Sequence, residues 1–267
     1  MLIFVDMKKI LLLLTAFTLM LLPAQSQAQS KKKSAKKADV TASAKPASES
    51  LYYLTADQLP DLLKCLPAPP DSASFDFSRD RLRYLWGKRQ RLNAERAAQA
   101  CRDAYWKLDT LCAIFSEPFG LEISAEKTPA IYRVFTKSIV TMGQINMRAK
   151  AHYSRIRPFV YFDEPMLSRW EEDELRGEGS YPSGHTVRGW SAALLLSQIN
   201  PEAATKLFLR GWQYGESRVI VGAHWQSDVD ASRPVASMAF ATLQSSPEFQ
   251  KDLAEAVKEF KKLTSGR

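Results

Sequence analysis

The sequence predicts a single all-α domain behind an export segment and a polar tail, and three observations carry that expectation. Apolar residues after Ser78 recur at helical spacing and strict alternation is scarce. Two of the later runs open with capping residues. A chain of 267 residues that is 45% apolar and 25% charged suits one sizeable soluble core.

Residues 1–28 set Lys8 and Lys9 before an apolar run at 10–22, then Pro23 and small residues up to Ala28. This is the pattern of a secretory signal peptide cut after Ala28, with Met7 as an alternative start. The run is shorter than the roughly 20 residues of a spanning helix, no Cys follows it to carry a lipid anchor, and no other segment is apolar enough to span. Residues 29–50 form a Lys/Ala/Ser-rich segment expected to be a disordered linker. Of the formal charge of +8, residues 1–28 hold +1 and residues 29–50 hold +4, leaving +3 for the rest. The basic excess is a property of the tail, which argues against a nucleic-acid-binding domain.

The domain is assigned to residues 51–267, its packed part expected to begin near the proline-rich stretch 66–70, which must be extended. Leu82, Leu85 and Trp86 mark a first helix. Ala97, Ala98, Cys101, Tyr105, Leu108 and Cys112 mark a longer one. On one helix Cys101 and Cys112 stand about 16 Å apart, beyond bridging distance, so Cys65 is the expected disulfide partner of either. Ile131, Val134, Phe135 and Ile139 continue the period. Ser183 caps a helix through Trp190, Leu194 and Ile199, and Asn200-Pro201 starts another bearing Ala204, Leu207, Phe208, Gly211 and Trp212. Ser246-Pro247 opens the last, with Phe249, Leu253, Val257 and Phe260 as its core stripe. Between Phe159 and Tyr181 lies an irregular, acidic stretch that sets Asp163, Glu164, Glu171, Glu172, Asp173, Glu174 and Glu178 against Arg169 and Arg176, read either as functional or as a solvated excursion with a short helix.

Three constellations carry chemistry. Lys150 and Arg157, two helical turns apart, share a face if the segment is helical, and two cations suit a dianionic phosphate. Ser180-Tyr181-Pro182-Ser183-Gly184-His185 opens a helix, whose free N–H groups and positive dipole end attract anions. Ser183 adds a hydroxyl, Gly184 a close backbone approach and His185 a titratable proton. In Ser217-Arg218…His224…Asp228, His224 and Asp228 are spaced i,i+4, so the carboxylate can hold Nδ1–H and leave Nε2 as nucleophile or base. The remaining histidine, His152, points elsewhere on a helix and is read as structural.

In this order the motifs resemble the signature of the type 2 phosphatidic acid phosphatase superfamily, K-x6-R-P, P-S-G-H and S-R-x5-H-x3-D. Residues 66–70, Phe115-Ser116, Phe119-Gly120, 155–159, 179–186, 199–201 and 224–231 are similar to the bacterial class A nonspecific acid phosphatases, over about residues 65–262. Ser232-Arg233-Pro234 and the acidic stretch depart from that pattern. The resemblance implies a single helical-bundle domain of the acid phosphatase/vanadium haloperoxidase type that is periplasmic or secreted, with a homo-oligomer as an expectation. The implied activity is hydrolysis of small phosphate monoesters at acidic pH, without metal or cofactor. His224 would form a phosphohistidine, Asp228 orient it, and His185 protonate the leaving oxygen and then activate water. Lys150, Arg157, Arg218, Ser183 and Gly184 would hold the phosphate. Nucleoside triphosphate or pyrophosphate hydrolysis and a vanadium-dependent haloperoxidase are the alternatives within the superfamily, and a non-catalytic anion-binding protein the alternative outside it.

Overall fold

The computed structural model describes residues 50–265. The expected signal peptide and the expected linker up to residue 49 lie outside the described residues. Helices are the only regular elements among those described: α1 (Leu62–Cys65), α2 (Phe75–Gln90), α3 (Ala94–Ala104), α4 (Leu108–Phe119), α5 (Pro129–Met142), α6 (Met147–Tyr153), α7 (Pro158–Tyr161), α8 (Glu172–Arg176), α9 (Gly184–Ile199), α10 (Ala204–Val221), α11 (Gln226–Leu243) and α12 (Pro247–Thr264).

The core is built round α9. Gly184, Thr186, Val187, Gly189, Ser191, Ala192, Ala193, Leu195, Leu196 and Ile199 are all buried, and α4, α5, α10, α11 and α12 pack against it. A helix packed by five others needs apolar and small residues over most of its surface rather than a stripe. α10 also packs on α2 and α3, and α12 on α5. Ser183 and Ser246 cap α9 and α12 as expected, each hydroxyl accepting from the N–H three residues on. Ile131, Val134, Phe135 and Ile139 are fully buried on α5, and Phe249 on α12.

Several expectations are corrected. Packing begins before the proline-rich stretch: Tyr53, Leu54, Leu59 and Leu62 join the main core, and Tyr53 donates from its hydroxyl to Asp252 at 2.6 Å. The helix expected across 97–112 is two helices. The chain extends at Tyr105 and Lys107, where Tyr105 stacks on Trp170 with ring centres 4.8 Å apart. Cys101 and Cys112 therefore sit on different helices. All three cysteines are free, so the expected disulfide is absent. On α2, Leu82 and Leu85 face outward, because that helix buries Phe77, Asp80, Tyr84 and Gly87 instead. The acidic stretch holds a 3-10 turn (Arg169–Glu171) and α8, with Glu171 buried. α11 runs unbroken through Pro234.

The α9–α10 contact depends on a glycine. A Cβ at Gly189 would lie 2.3 Å from Tyr214 Cδ1, and Tyr214 is fully buried. Gly189→Ala is expected to lower unfolding stability by about 1–3 kcal/mol, as overpacking of a filled core does. Urea denaturation checks it, and an unchanged midpoint would show that the ring has room to move.

Candidate functional site

A cleft of about 530 Å³ opens at the N-terminal end of α9 and is lined by Lys150, Arg157, His185, Arg188 and His224 among others. The Ser183 hydroxyl accepts from Thr186 N at 3.3 Å and from the Thr186 hydroxyl at 3.0 Å. Ser183 N in turn donates to the Asp228 carbonyl, fastening the start of α9 to α11. At Gly184 any side chain would collide with the cleft wall, since a Cβ there would stand 2.8 Å from Asn146 Nδ2.

Lys150 and Arg157 both reach the cleft, though not from one helix. α6 ends at Tyr153, Ser154 takes a left-handed conformation (φ 42°), and Arg157 precedes α7 as its N-cap. Lys150 Nζ donates to Gly179 O at 2.7 Å. Arg157 donates to the carbonyls of Glu178 and Ala223 and lies 3.6 Å from the Glu178 carboxylate. Its Nη1 is also 3.1 Å from His224 Nε2.

That contact assigns the His224 tautomer. A guanidinium has no acceptor, so Nε2 must offer its lone pair, and Nδ1 carries the hydrogen that it donates to Asp228 Oδ2 at 3.2 Å. His224 lies ahead of α11, not on it with Asp228: Trp225 is the N-cap, and Asp228 reaches back from the first turn to accept from Trp225 N at 2.8 Å. The other oxygen of Asp228 accepts from Arg155, whose second amine donates to Asp80 on α2 at 2.7 Å. Asp80 also accepts from Ser227 N. Charges this deeply buried hold only when each is paired and hydrogen-bonded, and here each is.

Arg218, wholly buried, forms a two-pronged pair with Glu171 at 3.1 and 2.9 Å, and Ser168 donates to the same carboxylate. His185 Nε2 is 3.1 Å from Ala104 O, so Nε2 is the donor and Nδ1 the atom that can gain a proton. Its ring lies over Tyr214 and edge-on to Trp106. His152 is exposed beside Tyr153, away from the cleft.

The cleft is electrostatically unfavourable to further positive charge. Burial, and then Arg157, Lys150 and Arg218, hold His224 well below the usual imidazole range. Burial, Arg218 and Arg188 do the same to His185. Burial and Arg157 lower Lys150 to about 7. Of the candidate residues, Lys150, Arg157, Gly184, His185 and His224 line the cleft, and Ser183, Arg218 and Asp228 are buried around it. Arg155, Asp80, Glu171, Asn146 and Arg188 were not singled out from the sequence, and only Arg188 carried a local signal, three residues beyond His185 on one helix.

A cationic cleft at a helix N-terminus, with His185 half-buried and His224 buried in an all-α bundle, defines a class. The chain matches the PAP2 superfamily over residues 131–248 and belongs to that superfamily, within which it is a non-specific acid phosphatase. It is 47% identical over 214 residues to the non-specific acid phosphatase of Providencia stuartii, covering 80% of this chain and 86% of that one. It is 42% identical over 196 residues to that of Salmonella typhimurium, 73% and 78% of the two chains. To the acid phosphatase of Zymomonas mobilis it is 32% identical over 213 residues, 80% and 79%.

The depressed histidines set a sign for pH. In the unfolded chain imidazoles titrate near 6.5, so below that pH the unfolded chain binds protons that the folded one refuses. Stability is therefore full above about pH 6.5 and falls as pH drops through it. Bound dianion opposes the shift. By NMR, the His185 and His224 rings are expected to titrate well below the ordinary imidazole range without ligand, and at least one is expected to shift upward when inorganic phosphate is added. Ordinary titration of both without phosphate would contradict this.

Proposed function

We propose that the chain is an exported enzyme that hydrolyses phosphate monoesters of broad structure through a phosphohistidine on His224, with no metal. The observation that carries this is the Nε2 lone pair of His224, fixed by Asp228 behind it and facing Arg157 across the cleft. Phosphoryl transfer needs positioning and charge neutralisation above all. Lys150, Arg157 and Arg218, with the Ser183 hydroxyl and the free N–H groups at the start of α9, supply donors of the kind a metal supplies elsewhere.

In the first step the phosphate draws the Arg157 N–H away from Nε2, and Nε2 forms a bond to phosphorus as the bond to the leaving oxygen breaks. The leaving oxygen takes a proton from His185. In the second step water attacks phosphorus, its proton passes to His185, and the N–P bond breaks to release inorganic phosphate. Asp228 steadies the positive charge on His224 between the steps. His185 must therefore hold a proton while His224 does not, which gives a bell-shaped pH profile. Its peak below neutrality is supported by the relatives' names as acid phosphatases. Export rests on residues 1–28 as signal peptide with 29–50 as linker. Among the described residues no helix is long and apolar enough to cross a membrane.

Purified protein assayed on p-nitrophenyl phosphate across about pH 4–9 with EDTA is expected to peak below neutrality. His224→Ala is expected to abolish turnover. Asp228→Asn is expected to lower it on the order of 10²–10⁴-fold, through the wrong tautomer. EDTA-sensitive activity restored by a divalent metal overturns the metal-free reading, and full activity in His224→Ala overturns the phosphohistidine.

A further inference from the structure

The cleft holds a fourth cation that the steps above do not use. Arg188 follows His185 by one turn on α9 and lines the cleft. Its companions are matched by protein groups: Arg218 by Glu171, Arg157 by Glu178 and backbone carbonyls, Lys150 by Gly179 O. Among the described residues the Arg188 guanidinium has no carboxylate partner and no hydrogen bond. It lies 3.8 Å over the ring of Trp106. An aromatic face attracts a cation through its quadrupole and takes none of its N–H donors, so the planar fork is held in place with its donors unspent.

A second unspent group stands beside it. Asn146 is 4% exposed, and among the described residues its carboxamide has no hydrogen-bond partner. Both groups flank Gly184, where a Cβ would lie 2.8 Å from Asn146 Nδ2 and 3.3 Å from Arg188 Nη1. A buried carboxamide and a half-buried guanidinium beside the same part of a cleft, both without a protein hydrogen-bond partner among the described residues, fit an anionic ligand.

The side of the cleft is also legible. Attack in line from His224 sends the leaving group away from His224 and towards His185, the proposed proton donor. Arg188 is the helical neighbour of His185. Its charge is among those depressing His185 and Lys150, whereas the cations that depress His224 are Arg157, Lys150 and Arg218.

We infer that Arg188, with Asn146 beside it, is an anion subsite for the leaving group, and that it sets this chain's preference for phosphoanhydrides, the alternative substrates the family resemblance implies, over esters with an uncharged leaving group. This rests on the mechanism proposed above. His224 Nε2 bonds to the terminal phosphorus as the bond to the bridging oxygen breaks. The electron pair stays on that oxygen, which takes the His185 proton, and the remaining charge of the departing phosphate meets Arg188. Water then releases the second phosphate as before.

The test compares inorganic pyrophosphate with p-nitrophenyl phosphate in wild type, Arg188→Gln and Arg188→Lys. The ratio of kcat/KM for pyrophosphate to that for p-nitrophenyl phosphate is expected to fall about tenfold or more in Arg188→Gln, since a charge-assisted anion contact is lost. Arg188→Lys, which keeps the charge and loses the fork, is expected to retain part of that ratio. An unchanged ratio in both variants overturns the subsite, as does a wild type that splits p-nitrophenyl phosphate and leaves pyrophosphate intact. Calorimetry in a His224→Ala background separates the subsite from the chemistry. There pyrophosphate is expected to bind more tightly than phosphate, and adding Arg188→Gln to remove the difference. Equal binding of the two anions before that addition overturns the inference, whereas an inactive wild type that still binds pyrophosphate through Arg188 overturns only the catalytic reading.

Discussion

One buried carboxylate ties the site together. Asp228 accepts from His224 Nδ1, from Trp225 N and from Arg155, and its own carbonyl accepts from Ser183 N. Through these contacts it joins the loop before α11, the loop after α6 and the start of α9. Arg155 extends the chain to Asp80, and so to α2. A wholly buried carboxylate cannot lose a partner without an uncompensated charge remaining. The hydrogen bonds that choose the His224 tautomer are therefore the same ones that hold four segments in register, and a reactive imidazole is fixed by the fold and not by its own loop.

The charge balance of the cleft follows from what it is built to receive. Lys150, Arg157 and Arg188 line the cleft with Arg218 buried close by, and Glu171, Glu178 and Asp228 oppose them. The cost shows in the groups that yield: two histidines held well below the usual imidazole range, Lys150 lowered to about 7 and Arg157 to about 10. A dianionic phosphate relieves that repulsion, and the donors are already in place when it arrives, which is how preorganised sites lower a barrier. The acidic stretch tempers the field. It buries Glu171 against Arg218 and sets Glu178 at the edge beside Arg157, leaving Arg188 without such a partner.

Much of this was legible in the sequence, and the failures have physical causes. α5 was readable from its buried stripe, α9 from its hydroxyl cap and α12 from both, all local signals. The motif residues were readable because two histidines among cations in a fixed order point to one reaction. Their local setting was misread: Lys150 and Arg157 straddle a left-handed turn, and His224 stands before its helix. Helical spacing cannot tell a continuous helix from one broken by an aromatic contact, as Tyr105 against Trp170 shows. Asp80 lies 75 residues from Arg155, and no local pattern announces a partner that distant. Glu171 looked like one carboxylate among many until the fold placed it on Arg218.

The central claim is that a phosphoryl group passes through His224 Nε2. The most direct measurement is rapid acid-free quenching of enzyme mixed with ³²P-labelled substrate, followed by peptide mapping of the label. The expected result is an alkali-stable, acid-labile phosphate on the peptide containing His224, absent in His224→Ala. Turnover without labelled protein, or label on another residue, would contradict the account.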